Sequence, residues 1–200
     1  QKQIAEAKAS IFKPIIGCEC YCARNGRHSK LASQDDRSGW HLIVLAKNKD
    51  GYKNLIKMVS LSWTEGFYGR PRIDKELLEK YHKDLIGGEI PQHIMHGRID
   101  KAEESIKWFK NLFGEDYYLE MQRHETHDPN ADCTIFPHQQ EVNKVLIELA
   151  HKHNIKLIAT NDVHFVNADD AEAHDRLICL STGKDLDDPK RMRYSKQEWM

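Results

Sequence analysis

Two stretches near the start of the chain decide the fold: PIIGCECYC (14–22) and WHLIVLAK (40–47). We predict a strand over 13–22, which carries Gly17 and is bounded upstream by Pro14, and a second strand over 40–47. Further strands are predicted at 117–124 and 155–165, and amphipathic helices at 48–62, 73–85, 99–114, 137–153 and 169–180. Strands that alternate with helices favour an α/β sheet or barrel.

The composition limits the class of protein. The chain has 200 residues, of which 40% are hydrophobic, and this is enough to fill the core of a single domain over 1–200. The 30 Lys and Arg against 31 Asp and Glu exclude nucleic-acid binding through bulk positive charge, but not through a local groove. The longest apolar runs are far shorter than the ~20 residues that span a bilayer, so no membrane association is expected. Five cysteines, an odd number, favour reduced thiols and a cytoplasmic location.

Polar side chains are predicted to meet at one end of the strands. Glu19 stands near the carboxyl end of an otherwise apolar strand, where a charge is costly unless it is paired or bound to a metal ion. His124 ends the third predicted strand, and Asp162 and His164 share one face at the end of the fourth. If the first two strands form an antiparallel hairpin, His41 lies beside Glu19. Carboxylates and imidazoles at one rim predict a site for Zn²⁺, Mn²⁺ or Fe²⁺.

Simpler interpretations of these patterns stay open. A single Glu or His at a strand end is most often a surface or loop-capping residue. Cys18, Cys20 and Cys22 share the other face of the first strand, where packing under a helix is favoured over a shared zinc ion. The basic segments GRPR (69–72) and PKRMR (189–193) are interpreted as solvated loops, with contact to phosphates or nucleic acid as the alternative.

The quoted segments resemble the PHP (polymerase and histidinol phosphatase) domain. The similarity is carried, in the family's order, by PIIGCECY, WHLIVLAKNKDGYKNL, YYLEMQRH, LIATNDVHF and DRLICLSTGKDLDDPKRMRYS. Within the family, they resemble the PHP domain of bacterial replicative DNA polymerases, and HETHDPNADCTIFPHQQEVN (124–143) favours a Bacteroidetes-like member. The resemblance implies an α/β fold, a distorted (β/α)7-type PHP barrel with a cluster of metal ions at one rim.

The resemblance also assigns roles to residues. The family's metal ligands carry over onto the positions that the strand pattern selects, namely Glu19, His41, His124, Asp162 and His164. Asp162 and His164 are expected to be catalytic as well, and Arg123 is expected to contact a phosphate of DNA. The divalent metal ions that the resemblance implies as cofactors are zinc, manganese or iron.

Three functions are compatible with the resemblance. Where the ligands are kept, the PHP domain of the parent polymerase can act as a metal-dependent 3′–5′ proofreading exonuclease. Where they have decayed, the domain is a scaffold that supports the polymerase core and docks a separate exonuclease subunit or other replisome subunits. A free-standing phosphoesterase is disfavoured because TGKDLDDPKRMRYS (182–195) resembles the link into a polymerase, so about residues 181–200 are expected to lead toward the polymerase core.

The chain departs from the family pattern in two places. The family begins with one strand that bears His-x-His and another that ends in Asp-His, whereas this chain opens in a helix-forming segment, 1–10. We therefore expect an amino-terminally truncated, incomplete barrel that binds metal weakly. LIGGEIP (85–91) is too short for the strand that the family has there. No segment resembles the palm, fingers or thumb of a polymerase, so the chain alone is expected not to polymerise DNA.

Overall fold

The computed structural model describes residues 13–31, 39–127, 134–194 and 199. These residues form a mixed α/β structure with six strands and five α-helices, which is the predicted class. The chain divides into two compact units, the first made of Gln1–Ile90 and Ser105–Tyr118 and the second of Pro91–Glu104 and Leu119–Met200. The helix expected at 1–10 lies outside the described residues.

The first unit holds most of the strands. Its elements in chain order are β1 (Gly17–Cys22), β2 (Trp40–Ala46), α1 (Lys49–Thr64), β3 (Arg72–Ile73), α2 (Lys75–Tyr81) and β4 (Leu85–Glu89). It also contains the later part of α3 (Ile99–Phe113), a 3₁₀ turn at Gly114–Asp116 and the start of β5 (Tyr117–Met121). The second unit contains the rest of α3 and β5, a 3₁₀ turn at Ile94–His96, α4 (Ile135–His153), β6 (Lys156–Ala159), a 3₁₀ turn at Ala168–Asp170 and α5 (Ala171–Thr182).

β1 and β2 form an antiparallel hairpin, which is the condition under which His41 was expected beside Glu19. Glu19 lies opposite Ile43 and Tyr21 lies opposite His41. On the outer edge of β1, β3 pairs in parallel, and on the other edge of β2, β4 pairs antiparallel. The hydrogen-bonded order is thus β3–β1–β2–β4, followed by β5, and in the second unit β6 lies beside β5.

The expectation that 85–91 is too short for a strand is wrong. Leu85–Glu89 forms β4, a strand of five residues in which Gly87 lies opposite Val44 of β2. Glycine weakens most strands, but it is required where another group approaches the backbone closely. A Cβ atom on Gly87 would lie 2.8 Å from Cε2 of Phe113, so the aromatic ring occupies the space that a side chain would need.

Two strands end earlier than predicted. β5 ends at Met121 and β6 ends at Ala159, so His124, Asp162 and His164 follow their strands instead of lying within them. After β6 the backbone N–H of His164 donates to the carbonyl of another segment instead of to a strand. The prediction that Asp162 and His164 share a face through strand alternation is therefore wrong.

Local capping sets the starts of the first two helices. The Asn48 side chain accepts hydrogen bonds from the backbone N–H groups of Asp50 and Gly51, so of the two candidate entry residues, Asn48 and Asp50, it is Asn48 that caps the helix. α2 begins at Lys75, two residues later than predicted, because the residue before its Asp74 cap belongs to the short strand β3. The remaining predicted helices are present with ends shifted by one or two residues.

Apolar side chains fill the interior of each unit. In the first unit Leu42 and Val44 of β2 and Met58 of α1 are almost completely buried. The second unit has a small cluster of Phe165, Ala171 and Trp199, against which Ile135 and Tyr194 pack. No helix in the described part of the chain is long and apolar enough to cross a membrane.

Candidate functional site

The first unit brings Glu19 and His41 together. The two are diagonal neighbours on one face of the hairpin, and Nδ1 of His41 lies 2.6 Å from Oε1 of Glu19. The predicted proximity of these residues is confirmed. Both side chains are about half exposed, at 45% for Glu19 and 49% for His41, so Glu19 is not the buried charge that its strand suggested. The ring of Tyr21 meets the imidazole of His41 edge-on at 4.9 Å.

Asp162 and His164 form a local pair in the second unit. Nδ1 of His164 lies 2.7 Å from the backbone carbonyl of Asp162, and 3.9 Å from its carboxylate oxygen Oδ1. If Nδ1–H donates to that carbonyl, the lone pair of the ring is on Nε2, the arrangement that a histidine ligand needs. The Asp162 carboxylate is half exposed and stays available as an oxygen ligand.

Aromatic rings surround His164. Tyr194 packs against the imidazole with ring centroids 4.2 Å apart, and Trp199 and His174 lie at 5.5 and 5.6 Å. Burial lowers the pKa of His174, and the neighbouring His164 lowers it further. These contacts hold the His164 ring in one orientation.

His124 is held differently from the other histidines. It is 2% exposed, and its ring stacks on Trp199 at 4.0 Å. The Gln139 amide binds it twice, because Oε1 accepts the backbone N–H of His124 at 2.7 Å and Nε2 lies 2.6 Å from Nδ1. An amide N–H that donates to Nδ1 keeps the ring proton on Nε2. A metal ion on Nε2 therefore requires the ring proton to move to Nδ1, which breaks the contact between Nδ1 and the Gln139 N–H.

Three arginines of the sequence motifs, Arg72, Arg123 and Arg191, are engaged within the protein. Nη2 of Arg123, the expected phosphate contact, lies 2.6 Å from the Glu125 carboxylate. Arg72 of the GRPR segment is completely buried, so its interpretation as part of a solvated loop is wrong. Arg191 of the PKRMR segment forms an ion pair with Asp175.

The cysteine face of β1 agrees with packing. Cys20 and Cys22 are buried and Cys18 is partly buried, all with free thiols. Burial raises the pKa of Cys22 to about 12, and nearby carboxylates add to the shift. Hydrogen bonding with Cys20 lowers the pKa of Cys18 to about 7.

The predicted ligands divide between the two units, with Glu19 and His41 in the first and the other three in the second. In the described part of the chain, no group of three or more His, Cys, Asp or Glu side chains is close enough together to hold a metal ion. His124 stacks on Trp199 and His164 packs on Tyr194, but these two histidines and Asp162 do not form a ligand group. The nitrogen and oxygen donors fit Zn²⁺, Mn²⁺ or Fe²⁺ in type, and His41 and His164 fit in orientation.

Three contacts at these residues were not predicted. Gln139 orients His124, Tyr194 packs on His164, and Arg70 stacks over the ring of Tyr21 at 4.6 Å. Gln139 follows His124 by 15 residues, and only the fold brings the two together. The basic segment 69–72 was the one available signal for Arg70.

The part of the chain that contains the hairpin and its Glu–His pair matches a known protein family. The sequence model of the PHP domain matches residues 1–124, more than half of the chain, and the chain is a member of the PHP domain family. The matched segment includes Glu19, His41 and His124, whereas Asp162 and His164 lie beyond it.

The chain is also similar to particular replication proteins. It is 42% identical over 200 residues to the DNA polymerase III subunit alpha of Borreliella burgdorferi, covering 97% of this chain and 17% of that protein. It is 38% identical to the subunit of the same name from Thermus aquaticus (97% and 16%) and 40% identical to that of Aquifex aeolicus (90% and 16%). The chain thus spans about a sixth of the length of these curated relatives. The Bacteroidetes-like origin stays a prediction.

Proposed function

We propose that the chain is the PHP segment of a bacterial DNA polymerase III alpha subunit and that it carries a metal-dependent site for phosphodiester hydrolysis. In the whole subunit this site would remove mispaired nucleotides from the 3′ end of DNA. The proposal places the chain in the cytoplasm, with DNA, the polymerase core and other replisome subunits as partners. The similarity over 97% of the chain to a DNA polymerase III subunit alpha supports the replication context.

The observation that carries the hydrolytic proposal is the Glu19–His41 contact. A carboxylate and an imidazole lie 2.6 Å apart on a half-exposed sheet face, where a substrate can reach them. When His41 donates its Nδ1–H to Glu19, its Nε2 lone pair points away from the carboxylate and can bind a cation.

The proposed ligands are Glu19, His41, His124, Asp162 and His164. Bound divalent ions would supply Lewis-acid polarisation of the phosphate and activation of the attacking water. The role of the protein is orientation: the Asp162 carbonyl sets the tautomer of His164, and Tyr194 holds that ring in place. The Gln139 amide positions His124 by accepting its backbone N–H.

The test is the exonuclease activity of the whole polymerase subunit that contains this segment. Asp162→Asn keeps the size of the side chain but removes a charged ligand, so we expect loss of metal-dependent 3′–5′ hydrolysis of single-stranded DNA. Asp169→Asn is the matched control because Asp169 is an exposed carboxylate nearby in the chain, and it should retain activity. Full activity of Asp162→Asn would contradict the site assignment.

A second candidate function is a non-catalytic scaffold. It is favoured by the lack of a ligand group of three among the described residues, and by the Gln139 amide that opposes metal binding at His124. In that case the segment would support the polymerase core and dock a separate exonuclease subunit. A pull-down of that subunit by folded protein, combined with no bound metal, would favour the scaffold over the hydrolytic site.

A further inference from the structure

The segment between α1 and β3 is anchored from its buried side. Arg72 is fully buried, and its guanidinium donates from Nε to the carbonyl of Gly66 at 2.9 Å and from Nη2 to the carbonyls of Arg27 and Ser29 at 2.9 and 2.8 Å. The backbone of the same residue pairs with Tyr21 at the end of β1. The turn that precedes it is therefore fixed relative to the β1–β2 hairpin.

This turn places the guanidinium of Arg70 on the face of the hairpin that carries Glu19 and His41. Tyr68 donates its backbone N–H to the carbonyl of Arg70 at 3.0 Å, and Gly69 between them has a positive φ of 73°. The guanidinium carbon of Arg70 lies 4.6 Å from the ring centroid of Tyr21, and the same ring contacts His41 edge-on. Arg70, Tyr21 and His41 therefore form a continuous row beside the Glu19 carboxylate.

Arg70 differs from Arg123 and Arg191 because no carboxylate of the described residues pairs with its guanidinium. Arg123 is paired with Glu125, and Arg191 with Asp175. Within the described residues, Arg70 is exposed and has no carboxylate partner. Stacking on an aromatic ring orients a guanidinium but leaves its N–H groups, which lie in the guanidinium plane, available for a planar or tetrahedral anion. Arginine in this state is a typical phosphate-binding group.

We propose that Arg70, stacked on Tyr21, binds a phosphate of a single DNA strand next to the Glu19–His41 pair. The inference rests on the proposed phosphodiesterase function for its substrate class, and it assigns the phosphate contact to Arg70 in place of Arg123. The Tyr21 ring, which contacts both Arg70 and His41, is the platform that orients the guanidinium.

The experiment measures binding of a 5′-fluorescein-labelled oligothymidylate to the 200-residue chain by anisotropy across a series of salt concentrations. Loss of one phosphate contact should lower the slope of log K against log salt by about 1. It should also weaken binding about tenfold at low salt for Arg70→Ala. Arg70→Lys keeps the charge but not the planar group that stacks on Tyr21, so its affinity should lie between those of the unsubstituted chain and Arg70→Ala. Arg176→Ala is the matched control, because it removes one exposed arginine from α5.

Equal effects of Arg70→Ala and Arg176→Ala would overturn the proposal, as would a folded chain that does not bind the oligonucleotide at low salt. Circular dichroism confirms that each variant is folded, and Tyr21→Leu should reproduce part of the loss because it removes the platform. Bound metal is measured on the whole polymerase subunit, to which the proposed hydrolytic function belongs. A specific Arg70 effect without metal binding supports this inference and contradicts the hydrolytic function, whereas metal binding without an Arg70 effect does the reverse.

Discussion

Replacement of Arg27 by methionine tests the ion-pair network that holds the 24–31 segment to α2. Nη1 of Arg27 lies 3.0 and 3.1 Å from the two carboxylate oxygens of Asp74, and its Nε lies 2.8 Å from the Glu65 carboxylate. Nη1 also lies 2.9 Å from Glu76. The methionine side chain keeps the apolar stem but removes every one of these contacts.

The expected loss in the free energy of unfolding depends on how deeply the three carboxylates are buried. Asp74 is only 8% exposed, whereas Glu65 and Glu76 are 37% and 70% exposed. Breaking a buried pair by removing one partner costs about 3–5 kcal/mol, and each exposed pair adds less than about 1 kcal/mol. Asp74 keeps the backbone N–H groups of Arg27 and Leu77 as donors, so the lower end of the range applies. We expect Arg27→Met to lower the free energy of unfolding by about 3 kcal/mol.

The assay is urea denaturation followed by circular dichroism and tryptophan fluorescence. Arg176→Met is the control because its ion pair with Glu172 is exposed, and it should cost less than about 1 kcal/mol. A loss below about 1 kcal/mol for Arg27→Met would refute the reasoning, because it would mean that Asp74 is not buried beside this guanidinium.

Three further predictions concern β4, β5 and the histidine at the end of β5. Gly87→Ala should destabilise the chain by about 1–3 kcal/mol in urea denaturation because the new methyl group meets Phe113. Gly87→Ala should lower the free energy of unfolding by less when Phe113 is already replaced by leucine. An equal loss in both backgrounds would contradict the contact between Gly87 and the Phe113 ring. Gln139→Glu should raise zinc affinity about tenfold in chelator competition, since a carboxylate accepts Nδ1–H of His124 and moves the lone pair to Nε2; unchanged affinity would count against ligation by His124. Burial raises the pKa of Tyr117 well above its usual value, so the phenol stays neutral in the folded state. The contribution of Tyr117 to stability should therefore be full below about pH 10 and fall as the pH rises further, and Tyr117→Phe should reduce the alkaline slope of the urea midpoints.

The hairpin and its Glu–His pair could be predicted because they depend on local rules. A strand alternates with period two, and an antiparallel partner brings the start of β2 to the end of β1. Those two facts place His41 diagonally from Glu19 without knowledge of the rest of the fold. The Asn48 helix start was predictable for the same reason, because a cap depends on neighbouring residues.

The missed features depend on contacts that are distant in sequence. β4 carries a Gly-Gly pair that is depleted in strands, and it exists because β2 pairs with it and Phe113 covers Gly87. The residues after Ala159 continue a period-two pattern, yet the backbone N–H of His164 bonds to Trp199 and the strand has already ended. Strand length was set by tertiary hydrogen bonds that the pattern does not contain.

The partners of buried charged side chains could not be predicted from the sequence either. Arg27 has no periodic or motif signal, and it meets carboxylates 38 to 49 residues away. A buried arginine is stable only with such partners, which the fold supplies. Basic residues in a loop were interpreted as solvated, which is wrong for Arg72 because its donors are satisfied by backbone carbonyls.

The measurement that tests the central claim most directly is the amount of divalent metal bound, by mass spectrometry, to the whole polymerase subunit that contains this segment. It is compared between the unsubstituted protein and the Glu19→Gln, His41→Gln double variant. We predict bound zinc, manganese or iron in the first and at least half of it lost in the second. The same metal content in both, or none in either, would contradict a metal site at the Glu19–His41 pair.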